Sequence, residues 1–197
     1  MCVLLINPYY PLSETPSPPL GLAYLASALS TAGVEVRILD LVVYPYSQSM
    51  LQALIEDFNP QVAGITAVTM TFDHAIGVLA DIKRIDPDIL TIMGGPHVSF
   101  CARQTLKAYP QLDVIGLGEG ERTIVELART ASNGRTWAEV KGIAYRNGAA
   151  ICFTEKRQPN ANLNDLPIPD RLQLPLGRYR PLGKPISLTT SRGCTHK

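Results

Sequence analysis

Short runs of branched apolar residues alternate with longer stretches in which apolar positions recur every three or four residues over the first 130 residues. The short runs CVLLINP, EVRILDL, QVAGITAV, ILTIMGG and DVIGLGEG predict five strands. Between them PLGLAYLASALSTAG, SQSMLQALIEDFN, FDHAIGVLADIKRIDPD and FCARQTLKAYPQ predict helices, several closing on Gly, Asn or Pro. GERTIVELARTASNG predicts a fifth, with Glu119 and Glu121 at the positive end of its dipole. Strands and helices in this alternation predict an α/β fold, a five-stranded parallel sheet with helices on both faces.

The pattern then changes. VKGIAYRNGAAICFTEK holds two extended segments around Asn147-Gly148, a pair that favours a tight hairpin because both residues tolerate positive φ. RQPNANLNDLPIPDRLQLPLGRYRPLGKP is rich in Pro, Asn and Asp, without helical period, and reads as a linker. ISLTTSRGC resumes a strand-like run. The expected organisation is a domain over 1–135, a hairpin over 136–157, a linker over 158–185 and the start of a second domain over 186–197.

Charge changes the picture by exclusion. The 197 residues carry 18 Lys and Arg against 17 Asp and Glu, a formal charge of +1, so nothing favours nucleic acid or an anionic membrane. Cys2, Cys101, Cys152 and Cys194 lie far apart without a CxxC pair, and no secretory leader is evident, which predicts reduced thiols in the cytoplasm. No apolar run reaches the roughly 18–20 residues that span a bilayer.

Ligands of open parallel sheets bind beyond the carboxyl ends of the strands, where strand order reverses. The first such segment, NPYYPLSETPSPPLG, is long for a connection that usually takes about two to six residues, and its five prolines stiffen it as a wall for a large flat ligand. TAVTMTFDHAIG follows the third strand and offers Thr66, Thr69 and Thr71 as hydroxyls, although Thr is also simply a good strand residue. In GGPHVSF, after the fourth strand, Gly94 and Gly95 allow close approach to the backbone, His97 is a candidate contact, and Ser99 is placed to cap the next helix. GLGEGE follows the fifth strand with Gly116, Gly118 and Gly120. It is neither the dinucleotide fingerprint, which belongs after the first strand, nor a phosphate loop, which needs a Lys. Two glycine-lined gaps with little charge suit an elongated ligand inserted between sheet and helices. His74 stands at a helix start, where a polar residue needs no special role. No triad or carboxylate pair supports a hydrolase.

PPLGLAYLASALSTAGVEVRILDL, GGPHVSF, DVIGLGEGERTIVEL, KGIAYRNG, LNDLPIPDR and SLTTSRGC, in this order, resemble the N-terminal half of the cobalamin (vitamin B12)-binding radical S-adenosylmethionine enzymes. The resemblance covers essentially the whole chain. It implies a Rossmann-like (flavodoxin-like) cobalamin domain ahead of a barrel whose first strand ends at S-R-G-C, the opening of a CxxxCxxC motif. Ser191, Arg192, Gly193 and Cys194 match that opening, and Thr195, His196 and Lys197 fill the spacer. Three thiolates hold a [4Fe–4S] cluster and leave one iron for S-adenosylmethionine. Cys194 is thereby the first of three metal ligands, and this chain alone is expected to be inert, the barrel in cis being its partner.

The resemblance makes the four strand-end segments the cobalamin contacts: Pro18, Leu20 and Gly21; Thr66, Val68, Thr69, Met70 and Thr71; Gly94, Gly95, Pro96 and His97; Gly116, Gly118, Glu119 and Gly120. One departure stands out. Many cobalamin domains carry D-x-H-x-x-G after the first strand, its His ligating cobalt; aligned on Gly21, Pro16 and Pro18 occupy the Asp and His positions. His74-Ala75-Ile76-Gly77 spells H-x-x-G after the third strand, with Phe72 in place of the Asp, and reads as coincidence. Cobalamin is therefore expected base-off, without a protein His on cobalt, as in the methylase branch. Methylation of an unactivated carbon is the leading activity. The oxygen-independent cyclase of magnesium-protoporphyrin monomethyl ester shares the layout, and a domain that has lost cobalamin is the rival from another class. A response-regulator module would need an acidic cluster at INPYYPL, which has none.

Overall fold

The computed structural model describes residues 1–10, 17–133, 136–160, 162–183 and 187–192. Five parallel strands, β1 (Cys2–Asn7), β2 (Glu35–Asp40), β3 (Val62–Thr66), β4 (Leu90–Gly94) and β5 (Val114–Gly116), are joined by α1 (Leu20–Thr31), α2 (Gln48–Phe58), α3 (Phe72–Ile85) and α4 (Pro96–Ala108). After β5 come α5 (Glu121–Asn133) and the antiparallel pair β6 (Ile143–Asn147) and β7 (Ala150–Phe153). The order is β2-β1-β3-β4-β5-β6-β7, so the strand order reverses between β1 and β3.

The sheet is therefore wider than the predicted five strands, because β6 pairs antiparallel with β5 and carries the hairpin into the same sheet. The turn also differs from expectation. Asn147 pairs with Ala150 inside the ladder, leaving Gly148-Ala149 as the loop, and Gly148 takes the positive φ, 58°.

Period-two alternation sorts each strand between two apolar layers. Leu4, Ile6, Ile65 and Met93 face α2, α3 and α4, whereas Val3, Leu5, Val62, Ile92 and Val114 face α1 and α5. Helix boundaries follow local chemistry. Ser47 accepts the Met50 N–H through its hydroxyl at the start of α2, and Asn59 closes that helix in the left-handed region. α4 starts earlier than predicted, because Gly95 turns the chain at φ 106° and Pro96 supplies a preset first residue. Ser99 consequently lies within the helix and donates to the Gly95 carbonyl at 3.0 Å, so it is not the cap expected of it.

The proline-rich stretch is clamped rather than free. Its short helical turns attach residue by residue: Asp170 N–H donates to the Ala23 carbonyl, Ser27 Oγ to that of Ile168, and Leu174 and Tyr179 are buried. Point attachments leave no apolar period to read, which is why the segment resembles a linker in sequence.

Candidate functional site: two cavities at the strand ends

Two adjoining cavities open at the carboxyl edge of the sheet. The first, about 400 Å³, lies between the sheet and the α1–α5 layer. Leu5, Gly64 and Ile92 contribute from the strands, Leu22, Leu25, Ile124 and Leu127 from the helices. Gly64 belongs to the same face as Val62; a Cβ there would come within 3.2 Å of Leu5 Cδ2. The rim is glycine: Gly21, Gly94, Gly95, Gly116, Gly118 and Gly120, joined by Thr66, Glu119 and Glu121.

Those glycines divide by cause. At Gly95 a Cβ would stand 2.5 Å from the Ala67 carbonyl oxygen, and φ is 106°, so the fold itself demands glycine. At Gly21, Gly94 and Gly116 a Cβ would meet nothing within 4 Å among the described residues beyond its own chain neighbours and helix backbone, and none of the three has a positive φ. Protein packing gives no reason for glycine there. The space their missing side chains leave belongs to the cavity, which is what a cradle for an inserted ligand requires.

The second cavity, about 440 Å³, sits over the reversal between β1 and β3. Asn7, Pro8, Tyr10, Pro18, Pro19 and Leu20 wall one side, and Thr66, Val68 and Thr71 the other, with Val42 and Ser187. Pro19 and Thr66 line both cavities. Thr71 Oγ1 accepts the Val68 N–H at 3.1 Å, holding the turn that carries Val68 to the edge.

Of the residues expected at a site, Gly21, Gly94, Gly95, Gly116, Gly118, Glu119 and Gly120 line the first cavity and Pro18, Leu20, Val68 and Thr71 the second, with Thr66 in both. Thr69, Met70, Pro96 and His97 line neither. The imidazole of His97 lies 4.4 Å from the Phe72 ring, with Nδ1 3.2 Å from Thr69 Oγ1. His74 stacks edge-on with Tyr9, 5.3 Å between centroids, in a separate hollow beyond α3. Cys194 lies outside the described residues. Among the described residues no group of three His, Cys, Asp or Glu side chains could hold a metal ion, and no helix is long and apolar enough to cross a membrane.

Sequence reasoning missed Gly64, Glu121 and Arg192. A glycine inside a strand of otherwise apolar residues was the available signal for Gly64. Glu121 read as a dipole partner, yet it is buried in the cavity wall and joined to Arg192. Its pairing comes from 71 residues away and left no local trace.

A sequence-family comparison decides what this architecture is. The B12 binding domain family matches residues 13–128. The chain belongs to the B12-binding domain family. An uncharacterized methyltransferase of Pyrococcus horikoshii is 35% identical over 181 residues, 91% of this chain and 39% of that protein. The anaerobic magnesium-protoporphyrin IX monomethyl ester cyclase of Rubrivivax gelatinosus is 32% identical over 184 residues, 90% of this chain and 33% of the cyclase. This B12-binding domain chain thus spans between a third and two fifths of the length of these relatives. Its fold matches the cobalamin-dependent S-adenosylmethionine radical enzyme OxsB, solved with aqua-cobalamin and S-adenosylmethionine, at a TM-score of 0.80 with 23% identity, over 98% of this chain and 27% of OxsB.

Proposed function

We propose that this chain binds cobalamin as the N-terminal part of a radical S-adenosylmethionine enzyme that methylates an unactivated carbon. The single observation that carries the reading is the glycine-rimmed cavity: Gly21, Gly94 and Gly116 leave space that no described residue fills, opening onto the strand-order reversal. The first cavity has the apolar depth to take a slender nucleotide tail, held by Gly94, Gly95, Gly116, Gly118 and Gly120. The second, walled by Pro18, Leu20, Thr66, Val68 and Thr71, offers the corrin a support of mixed apolar and hydroxyl character. Bound cobalamin would supply methyl-transfer chemistry, and these residues orient it and exclude water.

No described histidine lines either cavity, which supports a base-off cofactor with no protein imidazole on cobalt. Cys194 would be the first of three ligands of a [4Fe–4S] cluster that binds S-adenosylmethionine, contributed jointly with a barrel in cis. We assign 1–135 to the cobalamin domain, 136–157 to the hairpin, 158–185 to the linker and 186–197 to the start of that barrel, in a cytoplasmic protein. The cyclase relative favours a second reading, ring closure on a porphyrin ester, with the same cobalamin site.

Mixing the purified chain with hydroxocobalamin under anaerobic conditions, followed by gel filtration and a visible spectrum, tests the assignment. Co-elution at near-stoichiometric ratio with a base-off spectrum on reduction is expected. No co-eluting cobalamin identifies a domain that keeps the fold and has lost the cofactor.

A further inference from the structure

The wall of the glycine cavity away from the sheet is made by α1 and α5, and one side chain ties them together. Arg192, two residues before Cys194, places Nη1 2.5 Å from Glu121 Oε1 at the first residue of α5. Its guanidinium carbon lies 4.6 Å from the centroid of the Tyr24 ring on α1. The side chain is 21% exposed and that of Glu121 only 7%. Arg192 itself lines the cavity. Its segment is anchored upstream, where Arg171 Nη2 donates to the Ser187 carbonyl at 2.6 Å, and Ser187 lines the second cavity. Residues 187–192 therefore run from the lining of one cavity to that of the other.

We propose that Arg192 is a strap over the tail cavity: its contacts with Glu121 and Tyr24 bridge α1 and α5, which also pack directly on each other through Ala26, Leu29, Ile124 and Leu127, and the nucleotide tail of cobalamin is admitted only when those Arg192 contacts open. The inference rests on the cobalamin reading above. It adds that seating of the tail competes with docking of the segment leading into the cluster motif. The chemistry favours a strap that opens without being lost. A guanidinium stacked on an aromatic face keeps much of that contact as the ring moves. With Arg192 21% and Glu121 7% exposed, the pair is screened by salt less than a surface pair and costs more to break, so opening is infrequent and sets the rate at which the tail enters.

The test compares cobalamin with cobinamide, which has the corrin without the nucleotide tail, as each loads into the 197-residue chain, followed by the visible spectrum in a stopped-flow instrument. Arg192→Ala is expected to load cobalamin at least about fivefold faster, because losing the shielded pair removes the barrier it sets, with cobinamide unchanged. Arg192→Lys keeps the charge without the planar stack and is expected to fall between. Equal rates for both corrinoids in all three chains overturn the strap, as does slower cobalamin loading in Arg192→Ala, which would make Arg192 a tail contact. If the unsubstituted chain takes up no cobalamin, the proposed function itself falls, and this inference with it.

Discussion

The phenol of Tyr179 donates a 2.6 Å hydrogen bond to Asp40 Oδ2, joining the proline-rich stretch to the end of β2 inside the protein. Asp40 is fully buried, and its other oxygen accepts from Asn7 Nδ2 at 2.8 Å and from the Val42 N–H at 3.2 Å. Asn7 also lines the second cavity, so the anchor of the stretch and the wall of the site share one hydrogen-bonded group.

Removing the Tyr179 donor leaves Asp40 short of a partner where both residues are buried. Tyr179→Phe is expected to lower stability by about 1–2 kcal/mol, the range for an unpaired buried polar group, read from the urea midpoint. Limited proteolysis should cut near residues 170–183 faster in the variant, because Leu174 then holds that end with less help. An unchanged cleavage pattern would show that the apolar contacts alone secure it.

Asp40 also makes stability depend on pH. Burial raises its carboxyl above the ordinary value, against the lowering by Tyr179, Asn7 and the Val42 amide. The folded protein therefore binds that proton more tightly than the unfolded chain. The contribution is complete below the unfolded carboxyl value and is lost as pH rises through the raised one. Asp40→Asn has no proton to lose and keeps an acceptor for Tyr179. The stability difference between the native chain and Asp40→Asn should shrink from acid toward neutral pH, and a difference flat with pH would show that Asp40 does not titrate in that window.

Much of the scaffold was legible because parallel strands buried on both faces leave continuous apolar runs and their helices leave a period of 3.6. The extra width of the sheet was not, since Ile143–Asn147 looks the same whether it pairs with β5 or stands apart. The strand-end glycines were legible as a group, and their separate causes were not. Gly94 and Gly95 are adjacent and identical in sequence, yet only one is forced by backbone geometry. Arg192 and Glu121 meet across 71 residues, a pairing no local pattern encodes.

That adjacent pair yields a contrast. Gly95→Ala must move the Ala67 carbonyl and adopt a φ of 106°, so it is expected to lose about 2 kcal/mol or more of stability. Gly94→Ala meets no atom of the described residues within 4 Å and should stay within about 1 kcal/mol of the native chain. Cobalamin retention should fall at least about tenfold in Gly94→Ala, the loss expected when a methyl group occupies contact space. Thermal unfolding and gel-filtration retention, measured side by side, separate the two effects.

Gly21 sets stability against binding in a single position. It lies in the first turn of α1, where glycine is less favourable than alanine by up to about 1 kcal/mol. Among the described residues no neighbour within 4 Å accounts for it, nor does a positive φ, and it lines the glycine cavity. Gly21→Ala is therefore expected to raise the unfolding midpoint slightly while weakening cobalamin retention, with the methyl group standing in the space the tail would use. A variant that gains stability and keeps full retention would move the tail away from α1. The remaining wall would then be the strand-end glycines Gly94 and Gly116.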